Sequence, residues 1–393
     1  MLELSIALVL LILAAAIALW AWWRLRGFSA RPHHYHENFG GDYFRGLNYL
    51  LNEQPDKALE VFLQLAEVNP DTVETHLALG NLFRRRGEVE HAIRCHENII
   101  AKESISPAER HHAMLELAED YRRAGLLDRA EDLYHQLAES EEGRSVALQR
   151  LLEIYQQEQD WAQATRMAER LIPLSPSEVH PLVAHFHCER ATAALKESEL
   201  NEARAALAAA REHHPASLRC QLLEAEILLG ESQPRQAIEL LTRSLQQQPE
   251  LLPVALDTLT AAYRADRATL ELQQLLVSWL QQRQDVSAVI ALAALHQQEG
   301  NVQQAQSLLI EQLRLNPNVH LLRCLLNLLA PAEYQQLSAQ LRPIVEQLCD
   351  ELLTGEVAFR CRQCGYGGHD HHWQCPSCKQ WDSTWPVRGV TGK

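Results

Sequence analysis

A recurring alanine limits what this chain can fold into more than any other feature. Ala58, Ala92, Ala130, Ala164, Ala203, Ala237 and Ala305 follow one another at nearly even steps, two of them slightly lengthened and the last one doubled. Five of these alanines are followed, always at the same interval, by a proline: Pro70, Pro176, Pro215, Pro249 and Pro317. A period of roughly 34 residues marks an array of helical hairpins, in which a small residue lets two antiparallel helices touch and a proline ends the second. Chance alanines in an ordinary helical domain would not hold the shared interval. The doubled last step leaves one copy, centred near Glu271, without its signature, so the array has about eight copies.

Within the first copy, Gly46, Tyr49, Ala58, Phe62 and Pro70 stand at the offsets of the tetratricopeptide pattern. One hairpin cannot bury its own apolar face, so copies stack on their neighbours and coil into a superhelix with a long concave groove. The expected fold is therefore mainly α, a tetratricopeptide superhelix over residues 42–318. Apolar runs divided by Pro331 and Pro343 then read as capping helices over 319–354. Grooves of this kind bind chain segments and ordinarily carry no catalytic pocket, which makes a scaffold the default function. The net charge of -15 argues against nucleic acid as a partner, because phosphate contact needs clustered Lys and Arg.

Residues 1–23 read as a transmembrane anchor. From Leu4 to Trp23 there is no charged residue, and a helix of that length covers roughly 30 Å, the thickness of the hydrocarbon layer. A signal peptide would begin with basic residues and end in a small-residue cleavage site; here Glu3 precedes the run and Trp20, Trp22 and Trp23 close it. Arg24, Arg26 and Arg31 follow, so the positive-inside rule puts the bulk of the chain in the cytoplasm and the N-terminus outside. Residues 24–41 read as a juxtamembrane linker, whose His33, His34 and His36 lack the companion ligands that would make a metal site.

Two features fall outside the repeat pattern. Arg84 and Arg85 occupy the same offsets in the second copy as Arg122 and Arg123 in the third, late in the first helix of each hairpin. Stacking would gather them into a basic patch for an acidic partner or lipid headgroups, while the plainer reading is cations favoured by a helix C-terminus. Residues 355–393 form the second feature, with Cys361-x-x-Cys364 and Cys375-x-x-Cys378 as two metal knuckles. Each knuckle presents two sulfurs to one ion, giving a tetrahedral four-thiolate site for iron or zinc. Gly365 and Gly367 are expected to supply positive φ where the backbone turns over the metal. Phe359, Tyr366, Trp373, Trp381 and Trp385 are the apolar surface this segment must bury, and its short connection from Leu353 points to packing on the final repeats. Cys95, Cys188, Cys220, Cys324 and Cys349 stand singly in helical segments and read as small core residues.

The knuckles Cys361-Arg-Gln-Cys364-Gly365-Tyr366 and Cys375-Pro376-Ser-Cys378 resemble those of rubredoxin, with Lys379 where rubredoxins usually place glycine. The order of anchor, tetratricopeptide array and rubredoxin-like module resembles the lipopolysaccharide assembly protein B family over the full chain. That resemblance implies an inner-membrane adaptor, not an enzyme, with Cys361, Cys364, Cys375 and Cys378 as metal ligands. It implies two partners, a membrane-bound AAA+ protease and the deacetylase committed to lipid A, whose degradation the adaptor promotes. A homodimer is also compatible with it. Independently, the sequence has no G-x-x-x-x-G-K-[ST], H-E-x-x-H or G-x-S-x-G motif. The competing readings are electron transfer through an iron-bound tail and a chaperone-docking groove.

Overall fold

The computed structural model describes residues 39–52, 54–68, 72–329, 338–353 and 357–389. The apolar segment Leu4–Trp23, linker residues 24–38 and the three linker histidines lie outside the described residues, while residues 39–41, read as the end of the linker, open the first helix. Among the described residues no helix is long and apolar enough to cross a membrane. The chain divides into two compact units, residues 1–147 and 148–393.

The first unit contains α1 (Phe39–Leu51) with α2 (Pro55–Val68), α3 (Val73–Arg85) with α4 (Val89–Ile100), and α5 (Pro107–Arg123) with α6 (Leu127–Ala138). α7 (Arg144–Glu158) straddles the division and precedes α8 (Trp161–Leu171). The second unit continues with α9 (Pro176–Lys196) and α10 (Leu200–His213), then α11 (Leu218–Gly230) and α12 (Pro234–Gln247). After a 3-10 turn at Pro249–Leu251 come α13 (Leu252–Ala265) with α14 (Thr269–Gln282), and α15 (Val286–Gln298) with α16 (Val302–Leu315). Within each unit, successive helices pack against one another as hairpins and stacked neighbours.

The recurring alanines mark the tightest places in this packing. All seven are 0 % exposed. Gly46 and Phe62 show why small residues are needed at such crossings: a Cβ on Gly46 would lie 2.8 Å from the Phe62 ring. In the copy that lacks the alanine, Glu271 is exposed and paired with Arg235 at 2.7 Å, and the buried contacts pass to Leu272 and Leu276. The hairpin therefore forms without its signature, because helical spacing of apolar residues is enough to bury one face.

Past the last hairpin, α17 (Val319–Leu328) and α18 (Ser338–Leu353) pair through Val319, Leu326 and Cys349. Asn318 caps α17, its side-chain oxygen accepting from the His320 and Leu321 amides. The chain ends in a small antiparallel sheet of order β2-β1-β3, with β1 (Phe359–Cys361), β2 (Gly367–Gly368) and β3 (Thr384–Pro386). Phe359 pairs with Gly368 on one side and Pro386 on the other.

Candidate metal centre

Both knuckles use one local geometry. The Cys361 amide donates to the Tyr366 carbonyl at 2.7 Å, and the Cys375 amide donates to the Gln380 carbonyl at 2.9 Å. The Gly365 amide returns to the Cys361 carbonyl and the Lys379 amide to the Cys375 carbonyl, at 3.0 and 2.9 Å. Both turns need a left-handed residue, and Gly365 (φ 79°) and Lys379 (φ 60°) fill that role. Gly367 does not have the expected positive φ; it lies in β2, where a Cβ would meet Val357 at 2.6 Å. The glycine there permits close approach rather than a turn.

These turns bring the four sulfurs together, all within 4.8 Å of one another. Cys361 Sγ lies 3.7 Å from Cys378 Sγ, and Cys364 Sγ lies 3.7 Å from Cys375 Sγ. An ion bound by sulfurs at about 2.3 Å in a tetrahedron sets sulfur pairs about 3.8 Å apart, so the donors fit one such ion. Electrostatics point the same way. Ser383, whose hydroxyl is 3.3 Å from Cys361 Sγ, is the leading influence that draws the Cys361 thiol down to about 6. The Gln380 amide acts to lower Cys378, but burial and hydrogen bonding with the other three sulfurs push it up to about 12. Four thiolates this close cannot all stay ionised without a cation among them. The four cysteines fit one tetrahedral cysteine-bound metal ion.

The module is seated against the helices of the second unit. Trp381, 9 % exposed, stacks on His185 at a centroid distance of 4.7 Å and meets Phe186 and Trp161 edge-on at 6.0 and 6.2 Å. Its indole N–H donates to Gln156 Oε1 at 2.9 Å, and the Arg219 guanidinium lies 5.6 Å from its ring centre. His185 Nε2 is 2.7 Å from Asp382 Oδ2. Although burial acts to raise Asp382, the His185 hydrogen bond and the surrounding histidines hold its carboxyl below the usual range. Trp373 and Trp385 pack on the core that includes Leu251, and Asn318 donates to the Gly389 carbonyl at 2.9 Å. The module thus packs near the final repeats, as expected, and on earlier hairpins as well. Residues Gln156 to Arg219 supply the aromatic socket that an amphipathic indole needs, and those hairpins lie in mid-chain.

Residues 359–384 match the family model described as a rubredoxin metal binding domain, and residues 75–104 match the tetratricopeptide repeat model. Lipopolysaccharide assembly protein B of Escherichia coli strain K12 is 33 % identical over 352 residues, 89 % of this chain and 90 % of that protein. The chain belongs to the lipopolysaccharide assembly protein B family. The Haemophilus influenzae protein of the same name is 31 % identical over 354 residues, 88 % of this chain and 89 % of its own. A solved tetratricopeptide repeat protein from Parabacteroides merdae covers 80 % of this chain and 99 % of its own, at 10 % identity and a TM-score of 0.33. Family membership and the repeat fold make the chain a scaffold rather than an enzyme.

The four arginines have different surroundings. Arg84 is held at 2.7 Å by Asp120 and also bonds Glu116, with its side chain 15 % exposed. Arg122 is bound to Glu119 at 2.6 Å. Arg85 is exposed and lines a cleft of about 300 Å³ with Tyr43, Leu47, Glu74 and His112. Arg123 is 61 % exposed, 3.6 Å from Glu119. Of the histidines between the knuckles, His371 packs edge-on to Phe359 and Trp373, and burial brings it down to about 4. Cys188 and Cys220 do not stand singly: they meet in one buried cluster as thiol partners, an adjacency that their separation in sequence hides.

Proposed function

We propose that this chain is an inner-membrane adaptor that restrains lipopolysaccharide synthesis. It brings the deacetylase committed to lipid A to a membrane-bound AAA+ protease, which degrades it. The observation that carries the reading is the alignment of nearly nine-tenths of the chain with relatives called lipopolysaccharide assembly protein B. The uncharged stretch Leu4–Trp23 supports a single-pass anchor, with the N-terminus periplasmic and the array cytoplasmic. Sharing a membrane with the protease raises the effective concentration of each for the other. The exposed Arg85 and Arg123 are the members of the arginine set suited to touch an acidic partner. Iron or zinc serves equally in the thiolate centre, as a structural ion that holds the module in shape.

Following the half-life of the deacetylase in cells depleted of this chain tests the reading. A clearly longer half-life, reversed on re-expression, is expected. An unchanged half-life removes the adaptor function and returns weight to electron transfer, which requires an iron-thiolate spectrum and a partner reductase.

A further inference from the structure

Apart from the thiolate centre, the described residues contain one other group of His, Cys, Asp or Glu side chains placed to share an ion. Glu169, His187 and His213 bring their ligand atoms within 4.8 Å of one another. They come from three successive helices, α8, α9 and α10, which pack side by side in the second unit. His187 is 7 % exposed, and its Nδ1 is buried without a hydrogen-bond partner. A buried nitrogen of that kind is unusual, because such groups are ordinarily satisfied by protein, water or an ion. Burial first, then Arg190 and His213, bring the His187 imidazole down to about 4, so it carries a free lone pair at neutral pH. His213 is lowered as well, by burial and by His180, against the opposing carboxylates of Glu169 and Glu212.

His180 completes the arrangement. It lies two helical turns before His187 on the same face of α9, and its Nδ1 is 3.0 Å from Nδ1 of His213. One of these nitrogens donates to the other, which holds the orientation of the His213 ring. A metal-ligating histidine is usually held this way through its second nitrogen. Two imidazoles and one carboxylate are a donor set for divalent ions of the zinc class, with a fourth position left for water. Arg190 opposes a cation here, and Glu169 and Glu212 offset it.

We propose that Glu169, His187 and His213 bind a second metal ion, a divalent transition metal, with His180 orienting His213. The ion ties α8, α9 and α10 together. It acts on the helix that seats the thiolate module, since His185, which holds Asp382, stands two positions before His187 on α9. Occupancy therefore stiffens the socket from behind.

The test uses the full chain with zinc already in its thiolate centre, titrated with cobalt(II). Metal content and visible absorption are then read together. The expected result is one further ion per chain, with weak cobalt bands and no thiolate-to-cobalt charge transfer. Glu169→Gln and His213→Ala, both at positions with solvent access, should each weaken it by more than the roughly 10–100-fold typical of a lost outer-shell partner. His180→Ala should weaken it about tenfold. Unchanged helical circular dichroism in each variant separates lost binding from lost fold. No further ion, a further ion bound with unchanged affinity in Glu169→Gln and His213→Ala, or cobalt that shows only thiolate bands would each overturn the assignment.

Discussion

The Arg84 guanidinium reaches Asp120 Oδ1 at 2.7 Å and Asn81 Oδ1 at 2.5 Å, and Asp120 takes His96 on its other oxygen at 2.5 Å. His96 and Asp120 are both 0 % exposed, so this network joins α3, α4 and α5 through buried charge. His96 takes the place that Phe62 holds one repeat earlier, and a Cβ on Gly80 would run into its ring. Removing one partner of a buried pair leaves the other uncompensated, at a cost of about 3 kcal/mol or more. Arg84→Glu should destabilise the first unit by that order, read from its denaturation midpoint, whereas Arg85→Glu should change stability by less than about 0.5 kcal/mol. Equal effects would mean the network does not hold these helices. The sequence aligned Arg84 with Arg122 but could not reveal their different partners, because Asp120 belongs to the next hairpin. A second residue-scale prediction concerns His187, lowered from 6.5 to about 4. Between those values the unfolded chain binds the proton and the folded chain does not, so stability rises with pH across that window. Protein prepared without added divalent metal should lose stability as pH falls from about 6.5 toward about 4. His187→Leu should flatten that slope in urea titrations, and an unchanged slope would place the loss elsewhere.

At the scale of elements, the turns inside the hairpins repeat more faithfully than the sequence does. Gly87, Gly125, Gln159, Ser198, Ser232, Arg267 and Gly300 all have φ between 57° and 81°. In each case the next residue's amide returns to the carbonyl five positions before it, as from Glu88 to Phe83, Asp160 to Tyr155 and Ala268 to Tyr263. This is a Schellman closure, which satisfies carbonyls at the end of the first helix and reverses the chain. Three glycines make it legible in sequence; Gln, Ser and Arg at the other four do not, since neighbouring packing fixes the turn despite their side chains. Lys379 is the same case in the second knuckle. A side chain in this region costs roughly 1–2 kcal/mol, part of which is returned by the greater freedom of glycine in the unfolded chain. Arg267→Gly and Lys379→Gly should therefore stabilise the array and the module by about 0.5–1 kcal/mol each. Thermal melting of the helices checks the first, and the rate of metal release to a chelator checks the second. A faster release from Lys379→Gly would show that the lysine is needed for something other than the turn.

At the scale of the molecule, the repeat period and the two cysteine pairs were legible because each is local, set within one hairpin or one turn. The seat of the module was not, because Trp381 finds Gln156, Trp161 and His185 in hairpins far earlier in the chain. Such a contact leaves no spacing in the sequence to read. The module itself has a sheet of three very short strands and few aliphatic side chains, too little to build a core without a metal. Folding and metal binding are then one event for this segment, and docking follows from both. Replacing Cys361 and Cys364 with Ser should leave two sulfurs, unfold β1 to β3 and expose the socket. The helices should keep their circular dichroism, because Trp161, Phe186 and His185 belong to hairpins whose apolar faces are buried by stacking on neighbouring hairpins. Trp381→Ala separates the two steps. It keeps the four ligands and should retain the ion, but it removes the stack on His185 and the bond to Gln156. Amide exchange should then rise in the residues lining the socket while bound metal stays at one equivalent in the thiolate centre. If the ion serves only to hold this shape, zinc and iron forms should protect the socket equally, and cells supplied with either metal should regulate alike. Protection in the iron form alone, or activity that follows its reduction potential, would assign the centre to electron transfer instead.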